Sequence, residues 1–227
     1  MEKKETTSEG IGRVHAFSDA IFAIAITLLV LDIRVPEVSG NESLLKAVLH
    51  NWEPMLAFVI GFFTLLVCWI NHHYMFEMIS KSNGMLLLLN GFKLLVVSFT
   101  PFATALLSKY IGTPQQATIS IYGLNFFLMG TAMTGIWLYA TQHELTIVPR
   151  EELRTSTQFY IFASILSGSI FILSFINTVV CLILFGLMFM IYVFPRNMIV
   201  SIDKRKLAPV KLKSILAGRL LRIHDPE

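Results

Sequence analysis

Charge is what this sequence has least of. Only 15% of its 227 residues are Asp, Glu, Lys or Arg, against roughly a quarter in a soluble domain. With 55% hydrophobic residues and a mean hydropathy of +0.67, that scarcity excludes disorder and an ordinary cytosolic enzyme. Basic residues outnumber acidic ones by only three, too few to argue for a nucleic-acid partner. Cysteine is nearly missing: Cys68 and Cys181 both fall in long apolar runs, where they read as small packing residues. No secretory signal is visible, because the first twelve residues are polar and the apolar run behind them is too long for a cleaved segment. Internal repeats and low-complexity stretches are missing too. What remains is a polytopic membrane protein with little room outside the bilayer.

A membrane-crossing helix needs about 20 mostly apolar residues. Six segments qualify: Gly12–Val35, stopped by Pro36; Trp52–Met78, opened by Pro54; Met85–Lys109, with a kink expected at Pro101; Ala117–Gln142; Thr155–Phe175; and a last one from Thr178 to just before Pro195. Ile176-Asn177 must separate the final pair, since a helix of about 40 residues exceeds one crossing. The expected fold is therefore all-α, a unit of six transmembrane helices over residues 1–195 followed by a basic tail, 196–227.

Lys and Arg in short loops orient such a protein. With six spans, fourteen of them share the side of the N-terminus, the second and fourth loops and the tail; Arg34, Lys46 and Lys109 lie opposite, and Lys93 lies within a span. This distribution predicts a multi-pass protein of the cell membrane with both termini in the cytoplasm. The tail reads as a positive-inside topological signal, or as a weakly amphipathic helix lying on anionic lipid or pairing with other subunits.

Ionisable groups inside spans are costly, and here they gather at the cytoplasmic end. The first helix opens with Arg13, His15, Ser18 and Asp19, the second closes with Trp69, Asn71, His72 and His73, and the third begins with Asn90 and Lys93. Trp69, His72, His73 and Phe76 follow an i, i+3, i+4, i+7 spacing and share one helical face. A metal site of Asp19, His72 and His73 is one reading, but adjacent histidines point about 100° apart and no H-E-x-x-H pattern is present. A proton relay through the same groups is another. The favoured reading is a hydrogen-bonded network of Arg13, Ser18, Asp19, Trp69, His72 or His73 and Asn90 that locks the first three helices together.

The first helix has two faces. At about 100° per residue, with Ile24 at zero, Leu28 falls at roughly 40°, Leu31 at 340°, Thr27 at 300° and Phe17 at 20°, while Asp19 lies nearly opposite at 220°. By itself such an aliphatic stripe means lipid contact or ordinary packing.

Arg13-Val14-His15-Ala16-Phe17-Ser18-Asp19 reads R-x-x-x-F-S-D, and it runs directly into the helix Ala20–Ile33. Together with Trp69-x-x-His72-His73 and Pro101-Phe102-x-Thr104, it resembles the prokaryotic branch of the transmembrane protein 175 family. That family consists of potassium-selective channels related to an endosomal and lysosomal channel of animals. The resemblance covers roughly residues 11–195 and rests mainly on the first motif. It implies six-helix subunits assembled as homotetramers in the lipid bilayer, with the first helix of each lining a central pore and no T-V-G-Y-G filter loop, a motif this sequence lacks. Carried over, the pore-lining positions are Ile24, Leu28 and Leu31, with Thr27 as a hydroxyl ring, and Arg13, Ser18, Asp19, Trp69 and His72 or His73 would hold the pore helix. The implied activity is potassium conduction past hydrophobic rings, with no cofactor and no fixed metal site beyond permeant potassium near Ile24 to Leu31. The alternative is a proton-coupled secondary transporter using Asp19, His72 and His73. An enzyme is not expected, because no nucleophile–base pair or metal motif is recognisable.

Overall fold

The computed structural model describes residues 2–35, 43–110 and 116–193; the basic tail, 196–227, lies outside them. The described chain runs through α1 (Glu2–Leu28), a 3-10 turn (Leu29–Asp32), α2 (Leu44–His50), α3 (Trp52–Glu77), α4 (Gly84–Tyr110), α5 (Gln116–Gln142), α6 (Arg150–Leu173) and α7 (Thr178–Val193). The segments centred on α1, α3, α4, α5 and α6 are each long and apolar enough to cross a membrane. The described part of α7 is 16 residues, a rise of about 24 Å against a hydrocarbon core of about 30 Å.

Local chemistry accounts for the ends. α3 carries Glu53 and Pro54 in its first turn, where a carboxylate suits the helix dipole and a missing N–H costs nothing. α4 is capped by Asn83, whose Oδ1 accepts the Leu86 N–H at 2.9 Å. Pro101 sits inside α4, tolerated in a membrane helix where neighbouring groups re-satisfy the backbone. Three features depart from expectation. α1 begins at Glu2 rather than near Gly12, since the polar segment contains no proline to stop it. Its last turn tightens into the 3-10 geometry of Leu29–Asp32 before Ile33 turns extended. α2, expected only as loop, forms behind the cap of Ser43, whose Oγ accepts the Lys46 N–H at 3.3 Å.

α4 packs against α3 and α5, α5 against α6, and α1 lies across α3 and α4. The core divides into three layers along the bundle. Val14, Phe76, Leu86 and Trp137 belong to the layer at one end, Phe22, Leu29, Leu65 and Val97 to the middle one, and Ala103, Leu107, Ile119 and Tyr122 to that at the other end. At the end holding Val14 the α3–α4 and α5–α6 connections join. The Ser80 N–H donates to the Leu145 carbonyl at 2.9 Å and the Ile147 N–H to that of Met78 at 3.1 Å. Ile79 and Thr146 form an isolated antiparallel bridge, and Glu144 takes a φ of 53° at the turn. The second and fourth loops therefore meet at one end of the bundle.

Gly61 marks a close approach between helices. A Cβ there would stand 2.9 Å from the Thr104 side chain and 3.1 Å from that of Leu29, so α3 meets α4 and the end of α1 at a point only glycine fits.

Candidate functional site

One side of α1 is buried and the other is bare. Ser18, Phe22, Ala25 and Leu29 are almost completely covered by α3 and α4. Phe17 (61% exposed), Ile24 (58%), Leu28 (44%) and Leu31 (72%) are not. The 3-10 turn refines the wheel: at three residues per turn, positions i and i+3 eclipse, so Leu31 stacks directly in line with Leu28. Thr27 is exposed between them, and its hydroxyl donates to the Ile24 carbonyl at 2.8 Å. With the proton spent on the backbone, what the side chain offers outward is oxygen lone pairs.

Behind the stripe the polar residues meet in two separate bonds rather than one network. Trp69 Nε1 donates to Asp19 Oδ1 at 2.8 Å, joining α3 to α1. Asn90 Nδ2 donates to Ser18 Oγ at 3.0 Å, joining α4 to α1, and the Ser18 hydroxyl itself donates to the Val14 carbonyl at 2.8 Å. His73 Nε2 stands 3.4 Å from Glu77 on its own helix, and its ring meets those of Trp69 and His15. His72 is fully buried between Phe22 and Phe76, with ring centroids 5.6 and 4.4 Å away, and neither ring nitrogen has a hydrogen-bond partner among the described residues. Arg13 stays outside the network: it is exposed at the rim of a cleft with Phe17, Ser82 and Asn90. The sequence pattern thus located the residues but not their pairing. Spacing along a helix fixes a face and says nothing about what the neighbouring helix presents to it.

Lys93 is the residue whose role the sequence left unassigned. It is fully buried, its Nζ has no hydrogen-bond partner among the described residues, and it lies 4.9 Å from the centroid of the Phe22 ring. Its position inside a span was the available signal. Phe22 therefore receives His72 from α3 and Lys93 from α4 on the face of α1 turned away from the stripe. Among the described residues no three His, Cys, Asp or Glu side chains stand close enough to hold a metal ion.

Comparison with known proteins fits this arrangement. The family model described as the endosomal/lysosomal potassium channel TMEM175 matches residues 13–101, which hold the apolar part of α1, all of α3 and most of α4. A protein named as a potassium channel in Chamaesiphon minutus is 37% identical over 172 residues, 73% of this chain and 85% of its own length. The chain belongs to the TMEM175 family. The crystal structure of a lysosomal potassium-selective channel TMEM175 homolog from the same organism superposes with a TM-score of 0.75 at 34% identity, over 83% of this chain and 98% of that one. The human TMEM175, named as an endosomal/lysosomal proton channel, is 30% identical over 142 residues, 28% of its length. The matched residues include both helical partners of α1, so the Trp69–Asp19 and Asn90–Ser18 bonds lie within the matched region.

Proposed function

We propose that this protein is a potassium channel in which four subunits place α1 around a central axis, with Ile24, Leu28 and Leu31 as constriction rings and Thr27 as a ring of oxygens between them. The observation that carries this reading is the one-sided burial of α1. The fold of one subunit covers Ser18, Phe22, Ala25 and Leu29 and leaves Phe17, Ile24, Leu28 and Leu31 exposed, which in this reading is the face that meets the other copies. Relatives named as potassium channels support the choice of ion.

A hydrated cation passing aliphatic rings must shed part of its shell, and hydrophobic constrictions of this kind gate by dewetting. Thr27 oxygens, whose protons are already committed to the Ile24 carbonyls, return part of that hydration. Potassium, which gives up water at lower cost than sodium, is favoured, with less discrimination than a filter of backbone carbonyls provides. Asp19, Trp69, Ser18 and Asn90 act as positioning residues that fix the rotation of α1. In this reading α7 is the sixth crossing, the termini lie in the cytoplasm of a cell-membrane protein, and the tail supplies most of the positive-inside charge.

The decisive measurement is potassium flux from liposomes containing the purified protein. Passive flux that follows the potassium gradient alone, and rises when Ile24 is replaced by Asn, is expected. Flux unchanged by that substitution would remove Ile24 from the pore. A proton-coupled transporter is the second reading, favoured by the two unpartnered nitrogens of His72; it requires saturable uptake driven by a pH gradient.

A further inference from the structure

A cavity on the far side of α3 takes no part in conduction as proposed. α3, α4, α5 and α7 surround a space of about 300 Å³ lined by Ile60, Phe63, Thr64, Leu107, Tyr122 and Phe185. That is twice the roughly 150 Å³ at which an apolar cavity stays dry and takes up benzene. Its lining is aliphatic and aromatic except for two hydroxyls. Thr64 Oγ1 and Tyr122 Oη lie 2.9 Å apart, and this is the hydrogen bond each of them makes among the described residues. Both side chains are only 6% exposed.

Two hydroxyls carry two protons, and one bond between them uses one. The other proton is left at the cavity wall without an acceptor, an arrangement that costs free energy until an acceptor arrives. The wall opposite belongs to α7. α7 reaches the cavity through Phe185, whose ring meets Tyr122 and Phe126 edge-on at 5.9 and 5.8 Å, and next to it Gly186 has open space where a Cβ would stand. Every lining residue belongs to a helix within the apolar bundle, so whatever enters arrives dissolved in the bilayer.

We infer that this cavity is a binding site for an uncharged amphiphile: an apolar body of up to roughly a dozen heavy atoms, scaling from benzene, carrying one oxygen that accepts the spare hydroxyl proton. A saturated lipid chain fills the volume but offers no acceptor, and a charged headgroup pays a desolvation cost that nothing in the lining offsets.

A diazirine-bearing octanol, photolysed with the protein in lipid nanodiscs and mapped by mass spectrometry, tests this directly. Labelling is expected on Phe63, Tyr122, Phe126 or Phe185. Unlabelled octanol should displace it about fivefold better than octane, the value of one neutral hydrogen bond. The double substitution Thr64→Val with Tyr122→Phe should erase the preference for octanol over octane while labelling persists, and Gly186→Leu should block labelling by filling the space. Labelling confined to other surfaces, or equal displacement by octane and octanol in the unsubstituted protein, overturns the proposal. None of these readouts uses ion conduction, so the site and the channel reading stand or fall separately.

Discussion

Asp19, half-buried, and Lys93, fully buried, are ionisable groups in the same part of the bundle, and the fold settles them in opposite ways. Asp19 has a directed partner in the Trp69 indole; Lys93, among the described residues, has no hydrogen-bond partner and lies against the face of Phe22. A charge-assisted bond of the first kind contributes roughly 1.5–3 kcal/mol. Trp69→Phe is therefore expected to destabilise the assembly more than Asp19→Asn, which keeps an acceptor oxygen, and a double-mutant cycle by thermal unfolding in detergent should show coupling between the two sites. Lys93 predicts the reverse. Because no counter-charge faces it among the described residues, Lys93→Met should leave stability unchanged or raise it, in the way that apolar replacement of buried charge often does. Phe22→Leu, which removes the ring and keeps the cation, should lower stability by about 2 kcal/mol or more. A marked loss of thermal stability in Lys93→Met would mean that an acceptor outside the described residues completes the site.

At the scale of elements, what could be read in the sequence was whatever hydropathy and period encode. The cores of α1, α3, α4, α5 and α6 follow from apolar runs bounded by Pro36, Pro54 and the polar loops, and the bare face of α1 follows from the spacing of Ile24, Leu28 and Leu31. The rest depends on contacts between distant segments. α2 is seven residues long, too short for a hydropathy window, and its Ser43 cap resembles any loop serine. The partners Thr64 and Tyr122 are 58 positions apart, and no local pattern announces them. Gly61 shows the same limit: in sequence it is one glycine in an apolar run, while in space it is where three helices touch. Gly61→Ala should therefore cost about 1–3 kcal/mol through overpacking, and adding Thr104→Ala should recover part of it, measured as the unfolding midpoint of the purified protein. Equal stability of Gly61→Ala and the parent would show that α3 can move away from α4 freely.

For the whole molecule, the question is what a subunit does with the bare face of α1. Phe17, Ile24, Leu28 and Leu31 lie outside the core of the single chain, so a charge placed there should act on assembly before it acts on folding. If the proposed tetramer forms, Phe17→Glu is expected to shift native mass spectra from tetramer toward monomer while far-ultraviolet circular dichroism stays helical; loss of helicity alongside the tetramer would place Phe17 in the subunit's own core. The two-loop junction at Ile79 and Thr146 holds one end of the bundle, and α1 finishes at the other in four residues of 3-10 helix. That finish works as a short screw thread. Each 3-10 residue turns about 120° and rises about 2.0 Å, against 100° and 1.5 Å in an α-helix. Rewinding Leu29–Asp32 into α-helix would draw the outer end of α1 inward by about 2 Å and swing Leu31 about 60° out of Leu28's column. In a fourfold arrangement the aperture at Leu31 would then be set by helical pitch, adjustable by local rewinding while the rods behind it stay still.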